Sequence, residues 1–162
     1  DKLKALGLTG DVQISYSNTM AMFATDDFEV CTRLVEGTYF KYQKMFNELP
    51  LHTVVSRKEL LDAMVRAKMC TAEKCPVRFE ISGKQLNLSI RDKVTDYHET
   101  VDLQEEISEA LTIGFDARLV IETLKAFDCD NVGISVNGPK MPMIVESEDS
   151  DFKAIVLPVS IN

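Results

Sequence analysis

The sequence contains no tryptophan, only two histidines and four cysteines among its 162 residues. His52 and His98 stand far apart, so no Ser–His or Cys–His nucleophile–base pair can be assembled from neighbours. There is no Gly-x-Ser-x-Gly elbow and no phosphate-binding glycine loop, which removes the standard hydrolase and nucleotide-binding signatures. Cys70 and Cys75 lie close in sequence, but no further Cys or His stands near enough to complete a zinc site. The expectation for these two, with Cys31 and Cys129, is reduced thiols in a cytosolic core. No apolar run approaches the roughly 20 residues needed to span a bilayer. The opening Asp1-Lys2-Leu3-Lys4 has no signal-peptide pattern, so a cytosolic setting is expected. The chain starts without methionine in what reads as the tail of a helix, and a fragment of a longer protein is therefore expected.

What is present is ordinary globular material, 45% hydrophobic and 27% charged, which argues against disorder. The length suits one complete domain plus a remnant, or one larger domain. The net charge of −8 runs against binding nucleic acid by general electrostatics, which calls for a basic protein. Any such contact has to come from a local basic patch on an acidic body. Asp26-Asp27 and Glu105-Glu106 sit in turn-like contexts and read as solvated surface rather than acid–base machinery. The run Glu146-Ser147-Glu148-Asp149-Ser150-Asp151 lacks calcium-loop spacing and reads as a hairpin loop. No cofactor or metal is expected.

Period-two alternation marks three short strands near the start: Val12, Ile14 and Tyr16; Met20 and Met22; then Phe28, Val30, Thr32 and Leu34. Residues 38–50 have no clear period and read as a linker. A strand at Thr53-Val54-Val55 precedes Ser56-Arg57-Lys58-Glu59, whose spacing is that of a capping box. Leu60, Met64 and Ala67 follow at helical spacing. Three strand-like runs come next, Val77–Ser82, Leu86–Arg91 and Val94–Leu103, with Gly83-Lys84 suited to a hairpin turn. The order then recurs. Leu111–Phe115 is a strand, Asp116 an N-cap, and Val120, Leu124 and Phe127 mark a helix face. Strands follow at Val132–Val136, Met141–Glu146 and Ala154–Ser160. A strand-helix-strand-strand-strand unit thus occurs twice, predicting an α+β domain with two helices on one side of antiparallel sheet.

The polar helix faces carry Lys58, Glu59, Asp62 and Arg66 on the first helix, and Arg118, Glu122 and Lys125 on the second. Charge ladders on solvated helices account for both, and a nucleic-acid face is the alternative. The terminal Ile155-Val156-Leu157-Pro158-Val159-Ser160-Ile161 places a proline inside an apolar strand, which implies an edge or a break in pairing.

Four segments in register resemble a known family. Thr32–Tyr39, Ser56–Thr71, Ile113–Phe115 with Asp116 through Val132, and Ile155–Val159 resemble the bacterial DNA polymerase III beta subunit, the sliding clamp. The resemblance implies the DNA-clamp fold, a duplicated β-α-β-β-β unit with two helices packed on antiparallel sheets. It implies that residues 1–41 are the C-terminal half of the middle clamp domain plus linker, and that residues 42–162 are a complete C-terminal domain. It further implies a non-catalytic processivity factor that encircles duplex DNA as a head-to-tail homodimer in the cytoplasm. Lys58, Arg66, Arg118 and Lys125 are then the inward, DNA-facing residues. The family docks short linear peptides of the replicative polymerase alpha subunit, the clamp loader and repair polymerases in an apolar pocket. Carried over by position, that wall comprises Lys44, Met45, Cys75, Asp116, Leu119, Pro142, Ile155, Val156, Leu157, Pro158 and Val159. The alternatives are a clamp-like paralogue acting as an interaction module, and a small cytosolic ligand-binding domain.

Overall fold

The computed structural model describes residues 10–39, 41–70, 75–91, 95–147 and 149–161. The expected helix tail at the start falls outside them. The chain divides into two compact units, Asp1–Lys41 and Tyr42–Asn162.

In the smaller unit, β1 (Gln13–Tyr16), β2 (Met20–Ala24) and β3 (Glu29–Arg33) form an antiparallel meander in the order β1-β2-β3. Its turns are closed by side chains that mimic backbone acceptors. The Ser17 hydroxyl accepts from the amides of Thr19 (3.3 Å) and Met20 (3.2 Å), and Thr25 Oγ1 accepts from the Phe28 amide at 3.2 Å.

The larger unit opens with a 3-10 helix, Tyr42–Met45, inside the stretch expected to be plain linker. There follow β4 (Leu51–Ser56), α1 (Arg57–Cys70), β5 (Val77–Arg91), β6 (Asp96–Phe115), α2 (Ala117–Lys125), β7 (Asn131–Val136), β8 (Met143–Ser147) and β9 (Lys153–Val156). Both caps form where the sequence puts them. The Glu59 amide donates to Ser56 Oγ at 3.4 Å, and the Arg118 amide donates to Asp116 Oδ1 at 2.8 Å. Each satisfies an amide that the first helical turn would otherwise leave unpaired. The faces predicted to be apolar are inward: Leu60, Met64 and Ala67 on α1 and Val120 and Leu124 on α2, joined by Ala63 and Ile121, while Phe127 is buried just past the end of α2.

The sheet runs in the order β5-β6-β4-β7-β8-β9. Four strand-like runs expected between residues 77 and 115 are joined into two long ones of 15 and 20 residues. Within β5 the partner changes around Gly83, which adopts φ +58 where the turn was expected. Val77–Ile81 pair with Leu111–Phe115, whereas Gln85–Arg91 pair with Asp96–Asp102. Buried positions shift phase across the same break, from Val77, Phe79 and Ile81 to Leu86, Leu88 and Ile90.

The pairing between the repeated units is reciprocal. β4, ahead of α1, pairs with β7, which follows α2; the end of β6, ahead of α2, pairs with the start of β5, which follows α1. The helices meet each other and pack on this sheet. Phe79 and Phe115, both at 0% exposure, stack edge to face at 5.1 Å in the core between them.

The strand expected at 154–160 stops at Val156. Pro158 has no amide hydrogen for the ladder, and the Val159 amide instead donates to Gly114 O at 2.9 Å. The thiols also depart from expectation. Cys129 is buried and Cys75 half-buried, but Cys31 and Cys70 are exposed, all four free. Cys31 lies on the small meander, and Cys70 ends α1 beyond its buried stripe.

Candidate functional site

Strand register brings most of the predicted apolar wall to one end of the larger unit. Val77 pairs with Phe115, so Cys75 lies at the end of the sheet where Asp116 caps α2. The tail joins them through Val159 and Gly114. A Cβ on Gly114 would sit 2.8 Å from Val159 O and 3.0 Å from Ile161 Cγ1, so only glycine admits the tail this closely. β9 lies against α2, and Met143 pairs with Val156, which sets Pro142 and Leu157 at adjoining strand ends.

Within this group the side chains divide by burial. Leu119 (39%), Leu157 (55%) and Val159 (36%) are exposed, whereas Val156 is 2% exposed and belongs to the core. Ile155, Pro158, Pro142, Cys75 and Asp116 are half-buried. Lys44, exposed, and Met45, half-buried, lie in the 3-10 helix. Among the described residues, no hydrogen bond or ion pair found links them to the other nine. The segment just behind them, Phe46–Leu49, lines a different concavity of about 340 Å³, shared with His52, Ser135, Ile144, Glu146 and Lys153. There His52 Nδ1 and Ser135 Oγ are 3.0 Å apart. Lys153 Nζ reaches Glu146 at 2.7 Å, a hydrogen bond that raises the lysine pKa. None of the predicted wall residues lines this concavity.

The four predicted cations lie on the helices, but in unequal circumstances. Lys58 Nζ pairs with Asp62 one turn on, at 2.6 Å, and this hydrogen bond lowers the Asp62 pKa. Arg118 Nη2 is 3.7 Å from Asp116 Oδ2. Lys125 has no ion-pair partner among the described residues. Arg66 is held by both arms. Its Nε donates to Glu99 Oε2 at 3.0 Å while an Nη2 hydrogen goes to Glu99 Oε1. That fork keeps the Glu99 carboxyl below its usual range and pushes the Arg66 pKa up. The Tyr97 hydroxyl lies against Glu99 as well and 3.0 Å from Ala63 O. Partial burial, then Glu99, raises the phenol pKa. Among the described residues no group of three or more His, Cys, Asp or Glu side chains could hold a metal ion. Among those residues, too, no helix is long and apolar enough to cross a membrane.

The family model for the DNA polymerase III beta subunit, C-terminal domain, matches residues 47–160. The chain belongs to this family. It is 26% identical over 160 residues to the beta sliding clamp of Streptococcus pneumoniae, covering 93% of this chain and 42% of the relative. It is 27% identical over 155 residues to the beta sliding clamp of Vibrio cholerae, covering 91% and 41%. Among solved structures, the beta subunit from DNA polymerase of Streptococcus pyogenes matches with a TM-score of 0.80 and 25% identity, over 93% of this chain and 42% of that one. A sliding clamp from Bartonella birtlesii matches with a TM-score of 0.87 and 21% identity, over 99% and 44%. The chain therefore has the α+β clamp fold, and spans less than half the length of the curated relatives it matches.

For a member of this family, two residues beside the predicted helix cations went unnoticed in the sequence. Tyr97 and Glu99 sit on β6, and Glu99 stands 33 positions from Arg66. A tyrosine and a carboxylate at i and i+2 on a strand do share a face, which is the signal available. It does not say which helix residue that face meets.

Proposed function

We propose that this chain is the C-terminal part of a sliding clamp, a homodimeric ring that encircles duplex DNA and tethers a replicative polymerase to its template. The supporting observation is a charge asymmetry. The two helices carry six basic and three acidic side chains, on a chain whose net charge is −8. A surface of that kind on an acidic body attracts phosphates without reading bases. Loose contacts of this sort let a ring slide, and closure rather than affinity keeps it on DNA.

In this reading residues 1–41 belong to the middle clamp domain with its linker, and residues 42–162 to the last domain. The protein works in the cytoplasm and has no catalytic activity of its own. Leu119, Leu157 and Val159 supply the apolar subsites for short linear peptides from the polymerase alpha subunit, the clamp loader and repair polymerases. A few buried anchor side chains with strand-like backbone pairing suit such a groove. The test is retention of the loaded full-length ring on circular DNA. The K58E/R66E/R118E/K125E variant is expected to load poorly or leave early, with greater loss at low salt. Unchanged retention would show that these helices do not face DNA.

A further inference from the structure

The four helix cations do not offer DNA the same thing. The Lys58–Asp62 pair joins two exposed side chains, 81% and 44% accessible, within one helix. Such a pair contributes little and opens readily. Arg118 stands off Asp116 at 3.7 Å. The Arg66–Glu99 pair differs in geometry and origin. It is a two-pronged fork between a helix and a strand, and its carboxylate is only 24% exposed. Fork geometry places two parallel N–H···O bonds on one planar cation and is the strongest arrangement available to arginine. The Tyr97 hydroxyl lies against Glu99 Oε2, the oxygen that also accepts from Arg66 Nε, and its one hydrogen is shared with Ala63 O of the α1 backbone at 3.0 Å. Glu99 is thus fixed by groups that do not depend on DNA.

We propose, resting on the DNA-facing reading above, that Glu99 is an internal competitor of phosphate for Arg66, which holds the arginine's charge in a neutral pair and so weakens the grip of α1 on duplex DNA. Tyr97 is the positioning residue that keeps the carboxylate aimed at Arg66. Three guanidinium hydrogens still point away from Glu99, enough to hydrogen-bond a passing phosphate. The net charge of the pair is zero, so that contact releases no counterion. Each phosphate neutralised by a free cation adds about 0.9 to the slope of log affinity against log salt. Glu99 removes that contribution at Arg66 while leaving the arginine ordered, which suits a surface that must slide.

The experiment measures binding of the natural full-length protein to a labelled linear duplex across a salt series. E99Q keeps the shape and the acceptor oxygen but removes the charge. It is expected to bind more tightly at low salt and to steepen the slope by about 0.9. Across a rise from about 50 to about 200 mM salt its advantage should therefore shrink roughly threefold. Adding R66Q to E99Q should return the slope to that of the parent. In the unsubstituted protein, the Arg66 Nε–H resonance should stay in place on addition of duplex while the Lys125 signals move. Parallel slopes for E99Q and parent, with K58E/R66E/R118E/K125E still weakening binding, would overturn the role of Glu99 and leave the DNA surface intact. An Arg66 Nε–H signal that shifts with DNA as Lys125 does would overturn it too. Loss of no affinity in the fourfold reversal would remove the DNA surface and this inference together.

Discussion

Strands in both units alternate apolar and polar residues, yet only the larger unit hides the apolar set. Ile14 and Tyr16 on β1 are 60% and 85% exposed, and Ala21 is the one buried hydrophobic residue among those described in the smaller unit. Phe79, Phe115, Leu88 and Ile113 in the larger unit are at 0%. Alternation is enough to specify a strand, because it gives the ribbon one apolar face. Burial needs a second layer. A three-stranded meander has none of its own, whereas the long sheet is covered by α1 and α2, whose apolar faces pack on it. The same residue types therefore carry very different energetic weight in the two regions.

Core truncation should expose that contrast most strongly. Phe115→Ala removes half of a fully buried aromatic pair and is expected to cost about 3–5 kcal/mol. Ile14→Ala, on an exposed strand, should cost less than about 0.5 kcal/mol. Urea unfolding of both variants measures the difference, and similar costs would mean that the smaller unit's strands are covered after all.

Exposed apolar residues of the larger unit are expected to matter for partners instead. A Leu119→Ala, Leu157→Ala double variant should lower affinity for a leucine- or phenylalanine-bearing clamp-binding peptide by about ten- to a hundredfold, with little change in unfolding. Fluorescence titration decides it; unchanged affinity would leave these side chains as plain surface. Deleting the whole tail is a poorer test, because Val156 would leave the core with it.

A smaller effect follows from the seat of that tail. Gly114→Ala forces a methyl against Val159 O and should cost about 1–3 kcal/mol. Hydrogen exchange of the Val159 amide should quicken by the same variant. Protection equal to that of the parent would show that the tail holds its place without the close approach.

The least effect is expected from the exposed pair on α1. Asp62 has a lowered pKa because of Lys58, so the pair's contribution is present above the usual carboxylate range and is lost as pH falls through the depressed value. Lys58→Gln should remove that acid-side dependence and little else. A pH series of thermal unfolding on both proteins checks the sign, and a variant that loses more stability toward acid than the parent would contradict it.

Much of this architecture was legible from short-range pattern. Ser56 and Asp116 cap their helices as the spacing says, and Leu60, Met64, Val120 and Leu124 face inward. Legibility failed where distant segments met. Nothing local in Val77–Arg91 states that its two parts pair with different stretches of β6, although the left-handed Gly83 marks the place. In the candidate site, the apolar character of residues 155–159 was visible, but not which of them is spent on the core. Val156 and Leu157 are neighbours of similar hydrophobicity, and only their alternation across β9 and its end separates 2% from 55% exposure.

By itself, then, the sequence determined most of the elements and their order, the duplicated unit, the caps and the concentration of basic residues on two helices. These depend on backbone sterics and on periodicity within a dozen residues. Only the tertiary structure decided the reciprocal pairing of β4 with β7 and of β6 with β5, the seat of the tail on Gly114, and the capture of Arg66 by Glu99. Each of these is settled by which surfaces meet when the two repeated halves of the larger unit close on one core. A side chain's hydrogen-bond partner there depends on packing, for which the chain holds no local signal.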